Sequence, residues 1–275
     1  MTMQVKFWGV RGSIACPTLR HIRYGGNTSC VEVRVADERV IFDAGTGIRQ
    51  LGNQLLKKGV KSANLFLSHT HWDHIDGFPF FTPIYQDSFS LVVRAGHLNH
   101  LEGGIRSVID KQMSNPYFPV PIHSLKAQII LEDFDVGTPL TLPGGVVIRS
   151  CPLNHPGQAT GYRLEHQGRS VCYLTDTEHK PGQPDENILA LIQGADLVIY
   201  DATYTDAEYL QHVGWGHSTW QEGIRLCRQA KASNLVIFHH DPSHDDDTMA
   251  KIEKKARKTW KRAMVARQGM VLSLL

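Results

Sequence analysis

Short apolar, β-branched runs recur along the chain and alternate with stretches whose apolar residues repeat at helical spacing. The runs CVEVRV, RVIFDAG, NLFLSH, SLVVRAG, VVIRSCPL, GYRLEH, SVCYLTDT, DLVIYDA and NLVIFHH are predicted strands, several of them ending in Gly, Asp or His. Helices are predicted over 47–58, 103–114, 186–193, 219–232 and 247–265. Thr219 and Glu222 have the spacing of a capping box at the start of the fourth helix. The segment NPYFPVPI, residues 115–122, holds too many prolines for a regular element and reads as a covering loop, either a lid or an interface. With no fixed-period repeat and no low-complexity linker, the pattern predicts one continuous α/β unit over 1–275.

At 275 residues and 41% hydrophobic, the chain can bury a full core. No stretch approaches the ~18 uninterrupted apolar residues that span a bilayer, and MTMQVKFWGVRGS lacks the long apolar run of a secretory signal. A soluble, cytoplasmic protein without a membrane partner is expected. The five cysteines are widely spaced and form no CxxC pair, so buried thiols are expected rather than a disulfide framework or a zinc ribbon. A net charge of +2 does not suit a protein that coats nucleic acid, and the basic run from Lys251 to Arg267 reads as a solvated face. Fifteen histidines change the picture, because imidazole is the side chain most used for transition-metal binding and for proton transfer near neutral pH.

The chemistry concentrates in SHTHWDHID, residues 68–76, directly after the apolar run NLFL. His69, His71, Asp73 and His74 put four donors within six residues, and a turn after a strand can aim the first two at one cation and the last two at another.

HTHWDH fits the HxHxDH signature of the metallo-β-lactamase superfamily, and the chain resembles that family from 41 to 240. The resemblance implies a four-layer αββα sandwich around two divalent transition-metal ions, with zinc first and manganese or iron as alternatives. It also implies a further ligand at His155 in PLNHPGQATGYRLE, a metal-bridging carboxylate at Asp176 in SVCYLTDT, and a last ligand in NLVIFHHDP. His239 is preferred to His240 there, because it directly follows the apolar run as His69 does. FDAGTG resembles the family's first motif and makes Asp43 the group that orients a ligand histidine. FWGVRGSIACP and RYGGNTSCVEV lie outside the generic signature and resemble the phosphodiesterase branch. Arg11 and Asn27 in these loops are candidates for phosphate or lid contact that no spacing rule fixes.

Residues 214–220, GWGHSTW, resemble the histidine motif of tRNase Z and cyclic-nucleotide phosphodiesterase relatives, which implies that His217 faces a scissile phosphate. The expected reaction is hydrolysis of a small phosphodiester, such as a cyclic nucleotide, by a metal-bridged hydroxide. His217 and the ligand Asp73 are the catalytic groups. Only twenty residues separate His155 from Asp176, where tRNase Z relatives carry a long RNA-gripping insertion, so large RNA is disfavoured as a partner. Three alternatives stay open: a tRNA 3′-processing endonuclease, a carbon-ester hydrolase of lactonase or thioesterase type, and an iron protein like the flavodiiron relatives. The last is disfavoured because no flavin domain is fused. The resemblance also allows a homodimer.

Overall fold

The computed structural model describes residues 2–274. Among these residues fourteen strands form two seven-stranded mixed sheets. The first sheet takes β1 (Met3–Gly9), β2 (Cys30–Val35), β3 (Glu38–Phe42), β4 (Ser62–Leu67), β5 (Ser90–Ala95) and β6 (Gln128–Asp133). The second takes β7 (Leu140–Leu142), β8 (Val146–Leu153), β9 (Ala159–His166), β10 (Arg169–Leu174), β11 (Leu197–Asp201), β12 (Leu235–Phe238) and β13 (Ala263–Val265). The last strand, β14 (Val271–Leu274), returns to the first sheet beside β1. Both sheets follow one rule: antiparallel pairing up to β3 in the first and β10 in the second, parallel pairing from there to β6 and β13.

The sheets face each other across Val5, Val33, Phe42 and Phe66 on one side and Tyr162, Tyr173, Ile199 and Phe238 on the other. Phe42 stacks on Tyr173 with ring centroids 5.1 Å apart and on Tyr162 at 5.5 Å. The outer face of the first sheet is covered by α1 (Ile48–Lys57) and α3 (Gly104–Gln112), whose Ile48, Leu51, Ile105 and Ile109 pack on Leu65 and Val93. The short helix α2 (Trp72–Ile75) carries part of the metal-type loop. On the outer face of the second sheet lie α4 (Glu186–Ile192), α6 (Trp220–Gln229) and α7 (Asp246–Thr259), with the short α5 (Asp206–Tyr209) before α6. The result is the four-layer αββα sandwich. In β4, Phe66 points between the sheets while Leu65 and Leu67 point at the helices, which is why NLFL is continuously apolar.

All nine predicted strands are present, and β1, β6, β7, β13 and β14 are added. The helix predicted over 247–265 ends at Thr259, because Trp260 turns extended and Ala263–Val265 pair with β12 as an edge strand. That pairing is non-local, and helical periodicity does not register it. At α6 only half of the capping box forms: Thr219 Oγ1 accepts from the Glu222 N–H at 3.1 Å, while the Glu222 carboxylate bonds Arg225 instead. The complete box lies at Thr205 and Glu208, ahead of α5. All five cysteines are free and buried. No helix of the described residues is long and apolar enough to cross a membrane.

Candidate metal centre

Three strands deliver a site residue through the same backbone device. Asp43 after β3, Asp176 after β10 and His239 after β12 all have φ near +60° (61°, 61° and 60°), the left-handed region that costs a non-glycine residue ~1–2 kcal/mol. Each stands just past a strand end and brings its side chain to the site, a strain that functional sites retain. Glycines fit the remaining clearances. A Cβ on Gly12 would lie 2.4 Å from the His239 ring, and one on Gly216 would lie 2.3 Å from His155 Nδ1.

The structure brings all seven residues of the implied ligand set together. His69, His71 and His155 form one group whose donor atoms lie within 4.8 Å of one another; Asp73, His74, Asp176 and His239 form a second. Asp176 stands between them. Its Oδ1 is 3.2 Å from His74 Nε2 and 3.1 Å from His239 Nε2, while its Oδ2 is 3.6 Å from His69 Nε2 and 3.8 Å from His155 Nε2. Asp73 Oδ2 sits 3.2 Å from both His74 Nε2 and His239 Nε2, and also accepts the Ser13 N–H at 2.8 Å. His240 turns away and donates from Nε2 to the Ala266 carbonyl at 2.9 Å.

Hydrogen bonds at the far ring nitrogens aim most of these imidazoles inward. His74 Nδ1 donates to Asp43 at 2.7 Å, and His155 Nδ1 donates to the Gly216 carbonyl at 2.8 Å. Ser68 Oγ, which itself donates to Asp43 at 2.7 Å, stands 3.1 Å from His69 Nδ1. His239 Nδ1 lies 3.0 Å from Thr203 Oγ1, which donates to Asp201 at 2.8 Å. Asp201 also accepts from His217 Nδ1 at 3.0 Å, leaving His217 Nε2 free to act.

A cation fits this donor set on the structure's own terms. His69 Nε2 is buried and has no hydrogen-bond partner, and such a nitrogen suits a Lewis acid. Burial, reinforced by His74, holds His69 well below the ordinary imidazole value, so the ring is neutral and can ligate. Burial also lowers His71 and His155. Around the second group burial opposes charge on Asp176, yet His239, His74 and His69 hold its carboxyl well below the usual carboxylate range. For His217 burial pulls the value down, but Asp201, with Asp176 and Asp73 behind it, outweighs burial and pushes it up to about 9.

Asp201, Thr203, Ser68 and Tyr173 are site residues that sequence reading did not single out. Tyr173 donates its hydroxyl to Asp43 at 2.8 Å. Asp201 had a signal, since DLVIYDA ends in an acid just as the other site strands end in Asp or His. Arg11 is not a phosphate contact: it is fully buried and donates to the carbonyls of Gly25, Asp241 and His244. Asn27 Oδ1 accepts from the Thr46 hydroxyl.

The family model for the β-lactamase superfamily domain matches residues 38–240, which takes in every residue of both groups. The chain belongs to the β-lactamase superfamily. Its reading as a metal-dependent hydrolase of that superfamily stands. A curated relative, ribonuclease Z of Haloarcula marismortui, is 24% identical over 291 aligned positions that cover 87% of this chain and 86% of the relative. Among solved structures, the metallo-β-lactamase fold protein YhfI from Bacillus subtilis aligns with a TM-score of 0.73 at 18% identity, covering 99% of each chain. A diphosphatase from the PhnP family aligns at 0.70 and 17%, covering 99% of this chain and 98% of that one. These two likenesses carry the fold. Further curated relatives at 22–23% identity also bear the name ribonuclease Z, which supports the tRNA-processing alternative better than the small-substrate expectation.

Proposed function

We propose that the chain is a dinuclear metal-dependent phosphodiesterase. His69, His71 and His155 would hold one divalent cation, Asp73, His74 and His239 the other, with Asp176 shared. Two such cations supply Lewis acidity that neutralises phosphate oxygens and acidifies water. The single observation that carries the phosphodiester reading is His217. Its ring lies 5.5 Å from that of His155 and 5.0 Å from that of His239, tethered at Nδ1 by Asp201. With Nδ1 committed, Nε2 is the atom that donates a proton to a departing alkoxide or a hydrogen bond to a charged phosphoryl oxygen. A carbonyl substrate has less need of such a group. Asp73 fixes the orientation of α2 through the Ser13 N–H and adds negative charge beside His239.

Two substrate readings follow from two observations. A small phosphodiester is supported by the β9–β10 hairpin, where most of the segment between His155 and Asp176 is spent on two strands joined through Gln167 and Gly168. The haloarchaeal alignment agrees: 291 positions covering only 87% of a 275-residue chain leave the relative with segments that have no counterpart here. A tRNA 3′-processing endonuclease is supported by the names of the curated relatives. Metal-loaded protein should be assayed on bis-p-nitrophenyl phosphate, on 2′,3′- and 3′,5′-cyclic nucleotides, and on a precursor tRNA with a 3′ trailer. His217→Ala should lose about 10²–10³-fold in kcat on the phosphodiesters at unchanged metal content. Turnover of lactones or thioesters alone, indifferent to His217→Ala, would overturn the reading. Precursor tRNA cut far faster than any small diester would select the endonuclease.

A further inference from the structure

The proline-rich segment that sequence reading singled out finds a role beside the metal loop. Tyr117 and Phe118 from that segment, with Trp72 and Phe80 from the stretch around α2, line a cavity of about 500 Å³ that also touches α3. Its volume lies within the ~300–1,000 Å³ of ordinary small-molecule sites. Thr70 and Trp72 form part of its wall, and they alternate in sequence with His69, His71 and Asp73. The cavity therefore shares its backbone with the ligand loop, and consecutive Cα atoms lie only ~3.8 Å apart.

The lining is aromatic and largely uncommitted. Trp72 is 79% exposed and Tyr117 73%, high values for rings that pack against nothing else. Phe80 and Phe118 already stand edge to face, with centroids 5.7 Å apart. Two acceptors share the wall. One is the Asp76 carboxylate. The other is Gln112 Oε1, buried and without a hydrogen-bond partner, because Gln112 spends its Nε2 on the Ile75 carbonyl at 2.7 Å. A greasy slot would take any apolar group. Beside the Lys111 ammonium, the Trp72 indole N–H and the Tyr117 hydroxyl, these two acceptors favour a flat ring that brings N–H groups of its own.

We propose that this cavity is a nucleobase subsite that takes a base bearing an exocyclic amino group, stacked on Trp72 and Tyr117 with its N–H edge toward Asp76 and Gln112. The proposal takes its ligand class from the phosphodiesterase reading: a nucleotide whose phosphate lies at the metals carries its base within reach of the next wall of the same loop. Stacking on aromatic side chains tolerates many bases, and the two acceptors supply the discrimination.

Saturation-transfer NMR with adenosine, inosine and ribose as probes tests this on the metal-loaded protein and on Trp72→Ala and Tyr117→Ala. Both replaced side chains are exposed, so the variants should fold as the parent does. The expected result is saturable adenosine binding, inosine at least fivefold weaker, no ribose signal, and a loss of about tenfold or more in each variant. Adenosine binding no better than ribose, or unchanged in both variants, overturns the subsite. Hydrolysis of bis-p-nitrophenyl phosphate in parallel separates the two claims: turnover without adenosine binding sinks the subsite alone, and adenosine binding without turnover keeps the subsite and sinks the phosphodiesterase.

Discussion

Asp43 and Asp176 occupy the same place in two sheets built to the same rule. Each follows the strand at which antiparallel pairing gives way to parallel pairing, and each has φ of 61°. Their surroundings differ. Asp43 accepts four hydrogen bonds, from the Ser68 N–H, the Ser68 hydroxyl, His74 Nδ1 and the Tyr173 hydroxyl, and is fully buried. Asp176 has one such donor, the Thr175 hydroxyl, and otherwise faces imidazole nitrogens. A saturated carboxylate is a fixture that orients others, whereas an unsaturated one is open to a cation. Backbone position thus decides where an acid stands, and its neighbours decide what it does.

The comparison breaks first at Asp176. Asparagine tolerates the left-handed backbone, so Asp176→Asn removes charge without adding strain. We expect loss of about 10³-fold or more in kcat and retention of at most one bound ion per chain, read by turnover and elemental analysis. Two retained ions with near-normal turnover would show that Asp176 is not shared. The same change at Asp43 should act more weakly and differently. Asp43→Asn puts an amide where four donors converge, and metal affinity should fall about 10–100-fold while saturating metal restores most of the turnover. The smallest effect is expected from Tyr173→Phe, which leaves Asp43 three donors. Chemical denaturation should show about 1–2 kcal/mol lost, with metal affinity changed by less than about threefold. A larger loss of metal at Tyr173 than at Asp43 would reverse the assignment.

How much of this was legible in the sequence follows from density. His69, His71, Asp73 and His74 announce themselves because four donors share one loop after an apolar strand. Asp176 and His239 are isolated acids and imidazoles at strand ends, and only the family resemblance selected them. Asp201 escaped although it ends a strand in the same way, because a lone acid there also reads as a turn residue; its worth lies in reaching both His217 and Thr203. Tyr173 reads as a core aromatic, and it is one, stacked on Phe42; only its hydroxyl reaches the site. The layered fold was legible where strands are apolar on both faces, as in β4. Strands such as β6, half-buried at an edge, and β13, formed only by pairing with β12, carry too little local pattern to be seen.

The turn at Gln167 and Gly168, with both residues at positive φ, has one more consequence. It lies at the opposite end of β10 from Asp176, a strand length of roughly 20 Å away. Lengthening a surface connection is cheap, about 0.6 kcal/mol for each doubling. The hairpin tip is therefore a natural grafting point: an appendage spliced there can change what the molecule grasps while the reaction centre stays as it is.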